Sequence, residues 1–469
     1  MNDKLRKEEL ELFVGLVMDK CGMRLTRNRL IRMKKVIDER IQELRLNEIL
    51  EYYRCITTGE NGNEELSRLL SSIVRWEPRF FAYPETLEKV ADHVAELVLA
   101  AGSRNGKPLA RVWFPYCGQG DDAYSFAMLM AERLDPNALR SVEILATGMS
   151  AEELEKACKA VYPVSAVSGV SEDRRRRFFK DVDGGLQVSK DIRSMISFGL
   201  LDLVNGIYPS LLNGTSGLNL IVLRGVLTFF NWKVTERIVS KIHECLAENG
   251  LLLIGKGERL PGTSGWEPVA ENGGKLFRKK ETEGEIGKKR RYESVKSLGR
   301  IVLKSDDSPN ARVRRNLYSE KALDYLSTGE TRRALITLNE AISSGSDDAG
   351  IYMRLADLYA SRDDLELAMK QCEKSIEIDP AYADAHLLLG MIHLRKGKYK
   401  ESMESFRKAL FINPENQQVK LHIARALDGM GRRNAAMKVY SKIVEGVNDS
   451  PNQLIIDFAK KAMDRNSQN

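Results

Sequence analysis

From residue 315 to about residue 448 the chain repeats itself every 34 residues. Pro380 and Pro414 lie one period apart, and three further positions keep step with them. The eighth position of each unit is small: Ala322, Ala356, Gly390 and Ala424. The twentieth is Ala334, Ala368, Ser402 and Ala436, and the twenty-fourth is Leu338, Cys372, Phe406 and Tyr440. Small residues at fixed steps let two helices cross closely, and a unit of this length is one helix pair that cannot bury its apolar face alone. Stacking four such units gives an all-α solenoid with a continuous core. Residues 449–469 read as a capping helix, Leu454–Met463, and a tail.

The remaining residues need a core of their own, since 469 residues exceed what one hydrophobic core supports. Residues 1–80 read as a helical subdomain: Leu10, Phe13, Leu16 and Val17 recur at helical spacing, as do Leu30, Met33, Ile37 and Ile41. Over 81–285 short apolar runs alternate with amphipathic stretches. The runs are 110–116, 141–148, 194–203, 218–227 and 250–257, and the helices Tyr124–Leu134, Ala151–Val161 and Trp232–Leu246 fall between them. That alternation predicts an α/β, doubly wound, Rossmann-like domain with a mostly parallel sheet, closed by an antiparallel strand at Lys275–Lys280. Residues 286–314 lack apolar periodicity and read as a charged linker.

Composition excludes several function classes. Six cysteines at 21, 55, 117, 158, 245 and 372 include no CxxC pair, and five histidines are dispersed, so neither a disulfide framework nor a metal site is indicated. The N-terminus has no apolar signal core, and no run reaches the length of a membrane span, so a cytoplasmic location is expected. The net charge of +7 is clustered: Arg24, Arg27, Arg29, Arg32, Lys34, Lys35 and Arg40 crowd one helix, with further clusters at 174–177 and 288–291. Such patches suit an acidic protein partner. No aromatic stacking pattern accompanies them, which makes nucleic acid an unlikely ligand.

Val112–Ser125, VWFPYCGQGDDAYS, reads as a buried strand, a glycine turn and the start of a helix. Gly118 and Gly120 allow close backbone approach, and the carboxyl end of a strand in an open α/β sheet opens into the crevice that binds small molecules. Five more segments complete the pattern: GMRLTRNRLIRMKKVIDERIQEL, EPRFFAYPETLE, AVYPVSAVSGVSEDRRRRFF, LNLIVLRGVLTFFN and GLLLIGKGE. In this order they resemble CheR, the S-adenosylmethionine (SAM)-dependent methyltransferases that esterify glutamates on bacterial chemoreceptors. The 34-residue period resembles the tetratricopeptide (TPR) repeat.

The resemblance implies SAM as the cofactor, and a cofactor site at Gly118, Gly120, Asp122, Gly148, Asp202, Leu203, Arg224 and Gly225. Several of these positions depart from the family. Ala82 stands where the family has its catalytic arginine, and Pro78 where it has a hydroxyl residue. Gly148 replaces the aspartate that holds the ribose hydroxyls, Gly225 an asparagine, Asp202 another asparagine, and Phe229 a tyrosine that faces the substrate. Alanine supplies no guanidinium donors, and an unpaired ribose costs about 1–3 kcal/mol. Asp121 and Asp122 open a helix, where carboxylates also act as caps. Arg75 and Arg79 are candidates to replace the missing arginine, which leaves Arg79, Ala82 and Phe229 as degenerate catalytic positions.

The reading is a CheR-like protein of a chemotaxis-type signalling system with weakened or lost catalysis. It would act through its basic N-terminal helix (Arg24, Arg27, Arg32 and Lys35), which would meet chemoreceptor-like or other signalling proteins, and through its TPR array, whose ligand the sequence does not identify. The alternative is an active protein-glutamate O-methyltransferase with a rebuilt site.

Overall fold

The computed structural model describes residues 5–59, 62–73, 77–101, 110–139, 141–262, 265–270, 274–280, 318, 320–343 and 346–445. The linker at 286–314, the cluster at 288–291, Arg75 and the expected cap Leu454–Met463 lie outside them.

Seven strands form one sheet: β1 (Ala110–Pro115), β2 (Val142–Gly148), β6 (Ile196–Leu200), β7 (Leu218–Leu223), β8 (Leu246–Gly255), β9 (Trp266–Ala270) and β10 (Gly274–Lys279), in the order β6-β2-β1-β7-β8-β10-β9. Strands β6, β2, β1, β7 and β8 run parallel. The chain leaves β1 towards β2 and β6, then returns to lay β7 on the other side of β1. The topological switch point therefore lies between β1 and β7, where open α/β sheets bind ligands. Two features differ from the sequence expectation. The Lys275–Lys280 segment forms β10 but does not close the sheet, because β9 pairs outside it and takes the edge. The segment after β2 folds as a second antiparallel sheet, β3 (Val161–Tyr162), β5 (Gly185–Val188) and β4 (Phe179–Val182), in the order β3-β5-β4.

Both faces of the main sheet are apolar, and period-two alternation divides them. Val112, Phe114, Leu220, Val222, Leu251 and Leu253 pack with the helices Pro84–Ala101 and Asp121–Arg133. Trp113, Ile221, Leu223, Leu252 and Ile254 face the other way, onto the helix Trp232–Cys245 and the N-terminal helices through Phe13, Val17, Met33, Ile37 and Tyr52. The N-terminal helices thus share a core with the sheet. A bridge between Met23 and Phe230, with Asn231 N–H donating to Gly22 O at 2.8 Å, fastens them.

The repeats form the helices Thr331–Ser343, Ala349–Ser361, Leu365–Ile378, Ala383–Arg395, Tyr399–Ile412, Gln417–Gly429 and Arg433–Glu445, after a helical stretch at 320–327. The small positions have a steric cause. A Cβ on Gly390 would lie 2.5 Å from the ring of Phe406, so the large residue at position 24 demands the small one at position 8. The turn inside each helix pair needs a left-handed residue, supplied by Gly329, Gly397 and Gly431, and by Asp363 (φ 65°) in the second unit. Aspartate is among the few residues besides glycine that tolerate this conformation.

Candidate functional site

The crevice at the switch point is built on the turn after β1. Tyr116 (φ 60°), Gly118 (φ 54°) and Gly120 (φ 87°) are left-handed, and Cys117 N–H donates to Thr147 O of β2 at 2.7 Å. A Cβ on Gly120 would stand 3.2 Å from Phe198 and Tyr124, so glycine is what lets the turn sit against its neighbours. Gly120 also takes the N-cap position of the helix Asp121–Arg133, which leaves Asp121 and Asp122 in the first turn rather than at the cap.

Both carboxylates are engaged in tertiary contacts. Asp121 Oδ2 accepts from the Arg79 backbone N–H at 3.0 Å, and Ser125 Oγ accepts from Phe81 N–H at 3.0 Å. Together they hold the Arg79–Tyr83 segment against the helix, and Phe80 is wedged between Tyr162 and Phe179 of the small sheet. Asp122 forms a two-pronged ion pair with Arg224, whose Nε lies 3.0 Å from Oδ2 and whose second terminal nitrogen reaches Oδ1. The remaining terminal nitrogen of Arg224 donates to Ala82 O at 2.7 Å. The two side chains are only 7% and 14% exposed, so this bridge is a sequestered one. The guanidinium nearest position 82 is therefore that of Arg224. The Arg79 side chain, which sequence reasoning offered as a substitute, is exposed.

The other positions divide sharply. Gly225 (φ 74°) has open space where a Cβ would stand, so the side chain missing here leaves room. Gly148 is crowded instead, since a Cβ there would meet Leu154 at 3.2 Å. Asp202 is spent on its own turn, accepting from Val204 N–H (2.7 Å), Asn205 N–H (3.2 Å) and Asn205 Nδ2 (3.0 Å). The Leu203 side chain is buried in the core rather than in the crevice. Phe229 is capped by the Arg29 guanidinium 4.5 Å above its ring, with Tyr116 packed edge-on at 5.7 Å.

Sequence reasoning missed three groups. Glu258 is 3% exposed and accepts from Gly225 N–H (3.0 Å), Leu227 N–H (2.6 Å) and Gly255 N–H (2.7 Å), which ties the end of β8 to the turn after β7. The GLLLIGKGE segment contained it, but no spacing rule marks it. Tyr116 brings a phenol beside Phe229, and burial pushes its pKa well up. Glu153 lies in the first turn of the helix that follows β2, with no hydrogen bond or ion pair on its carboxylate among the described residues; burial raises its pKa to about 7, and the charges of Glu152 and Asp121 add to this.

On sign, a carboxyl whose folded pKa is raised favours folding below its ordinary pKa and loses that contribution as pH rises through about 7. Glu153→Gln is accordingly expected to leave stability at pH 4 unchanged and to raise it by about 1–3 kcal/mol at pH 8. Urea titrations at the two pH values check this. Equal shifts at both would place the carboxylate in water.

As a test of fit for SAM, the described residues give a mixed crevice: its glycine turn is formed, yet Asp121, Asp122 and Asp202 are all satisfied within the chain. Among the described residues no group of three or more His, Cys, Asp or Glu side chains is arranged to hold a metal.

Residues 77–273 match the model of the CheR methyltransferase SAM-binding domain, and residues 319–383 and 383–416 match tetratricopeptide repeat models. The chain joins a CheR methyltransferase domain to TPR repeats. A probable biofilm formation methyltransferase, WspC, of Pseudomonas aeruginosa is 24% identical over 96% of this chain and 99% of its own length. The WspC of Pseudomonas putida is 24% identical over 85% of this chain and 92% of its own. A chemotaxis protein methyltransferase of Borreliella burgdorferi is 23% identical over 57% of this chain and 94% of its own length, so the TPR half has no counterpart there. No helix among the described residues is long and apolar enough to cross a membrane.

The basic clusters outside the CheR crevice also separate. Arg174 is paired with Glu132 and Glu88, Arg176 with Glu172, and Arg177 lies over Phe178, so the 174–177 cluster is largely engaged in the fold. On the second helix, Arg27–Glu43, Arg40 pairs with Glu65, whose carboxylate also accepts from Tyr52. Arg27, Arg32 and Lys35 on this helix are exposed, as is Arg24, which lies in the segment before the helix rather than on it as the sequence suggested.

Proposed function

We propose that this CheR-type protein serves a chemosensory signalling system chiefly through protein contacts, with its methyl transfer weakened or lost. The observation that carries this reading is the Arg224–Asp122–Ala82 bridge. It occupies the Asp122 carboxylate at the expected cofactor site and brings a guanidinium only to the backbone oxygen of the alanine that replaces an arginine. Gly148 offers the ribose no acceptor, and Leu154 crowds that position. Each lost contact worth about 1.4 kcal/mol weakens binding tenfold, and a displaced cofactor forfeits much of the roughly 7–11 kcal/mol that positioning supplies. The exposed Arg24, Arg27, Arg32 and Lys35 would meet an acidic surface on a receptor-like partner.

Titration calorimetry of the full chain with SAM and with S-adenosylhomocysteine tests this. No binding tighter than about 1 mM is expected, equivalent to roughly 4 kcal/mol. A micromolar isotherm would replace this reading with the second, an active protein-glutamate methyltransferase. The Glu153 carboxylate, without a hydrogen bond among the described residues, favours that alternative, since it lies in the first turn of the helix after β2 and could accept from the ribose in place of Gly148.

A further inference from the structure

Beyond the first repeat, the TPR residues Asp357, Arg362, Gln418 and Arg425, each on or at the end of the first helix of a pair, make polar contact with the CheR domain. What lies against this face is the connection between β6 and β7. Leu211 is buried in the apolar cluster of the first repeats with Ile351, Leu355 and Leu358, and Leu212 packs against that cluster and the next one along. Asp357 accepts from Leu211 N–H at 3.0 Å and also bonds Ser210 and Leu212 N–H. Gln418 Nε2 donates to Leu212 O at 3.0 Å. A second layer surrounds the first: Glu143 of β2 sits between Arg111 (3.0 Å) and Arg425 (2.9 Å), and Arg111 also donates to Gly214 O at 2.9 Å. Lys241, 1% exposed, donates to Gly206 O (2.5 Å) on the connection and to Ser327 O (3.1 Å) on the first repeat.

The connection also carries hydrogen bonds of its own. Thr215 Oγ1 donates to Asn213 Oδ1 at 2.6 Å and accepts from Ser210 N–H at 3.1 Å, Asn213 Nδ2 donates to Ile207 O at 2.9 Å, and Gly214 is left-handed (φ 75°). The result is a turn held by its own hydrogen bonds, Leu212 N–H to Ser210 Oγ (3.1 Å) among them, that offers two adjacent leucines and the Leu211 N–H. TPR arrays bind peptides on such a face, and a rigid ligand loses little entropy on binding.

We propose that the TPR groove is a recognition site for a Ser-Leu-Leu turn and is occupied in cis by Ser210–Gly214, so that an outside protein enters only by presenting the same chemistry and displacing this turn. The same connection begins at Leu201, directly after β6, where its N–H donates to Gly148 O at 2.9 Å beside the cofactor crevice, so occupancy of the groove and order in the crevice are linked. A tethered ligand acts at an effective concentration in the millimolar range, which shuts out weaker competitors in solution.

The test uses the full chain and a fluorescein-labelled peptide of residues 207–217, followed by anisotropy. Wild type is expected to bind it poorly. Leu211→Asp/Leu212→Asp places carboxylates against Asp357 and empties the groove, so this variant should bind the peptide at least tenfold more tightly. Adding Asp357→Ala to it should remove the gain. Equal binding by wild type and the double variant, or a gain that survives Asp357→Ala, overturns the proposal. Hydrogen exchange on the unmodified chain guards against a misfolded variant. The Leu211 and Leu212 amides should be protected and lose protection in Asp357→Ala, whereas fast exchange in wild type also overturns the proposal.

Discussion

Glu258→Ala is expected to cost the CheR domain about 3–5 kcal/mol, because it orphans a buried set of donors. Three backbone N–H groups, of Gly225, Leu227 and Gly255, converge on one carboxylate that is 3% exposed. Alanine leaves all three without a protein acceptor in a site that is closed to solvent in the native chain. Glu258→Gln retains one acceptor oxygen but turns an NH2 towards N–H donors, so it should lose about half as much. Guanidinium unfolding resolves the two variants, read on the transition that reports tryptophan burial. A loss below about 1 kcal/mol for the alanine variant would mean that solvent reaches the turn.

Restoring Ala82→Arg and Gly148→Asp together is expected to raise SAM affinity about 100-fold, tenfold for each contact worth about 1.4 kcal/mol. The two changes act differently. An arginine at 82 would compete with Arg224 for Asp122 and break up the bridge that spends that carboxylate. An aspartate at 148 must push Leu154 aside by a few tenths of an ångström, since its Cβ would start 3.2 Å away, so Leu154→Val alongside it should enlarge the gain. Calorimetry reads the affinity directly. An isotherm unchanged from wild type would show that the crevice fails for some other reason than these two losses.

The repeats were legible in the sequence because their constraint is local and periodic, with Gly390 small where Phe406 is large. The parallel strands were legible because each is a short apolar run, and the central ones, β1 and β7, are buried on both faces. Strand β9 was not, because WEPVA is short and carries Pro268, which a sequence reading takes as loop; on an edge strand a proline is tolerated. The small sheet after β2 escaped notice because its strands are two to four residues long. At the candidate site the glycine turn could be read, and so could the substitutions at 82, 148 and 225. What they leave behind could not. Arg224 and Asp122 are 102 residues apart, and the Asp357 and Gln418 contacts to the connection span 146 and 206 residues, so no local pattern announces them.

The sharing of one apolar cluster between Trp113, Ile221 and Leu252 of the sheet and Phe13, Val17, Met33 and Ile37 of the N-terminal helices bears on how this protein can be cut. The family match begins at residue 77, yet a fragment started there would carry a greasy wall in place of a sheet face. Homology marks an evolutionary module; the cooperative unit of folding begins nearer the first helix.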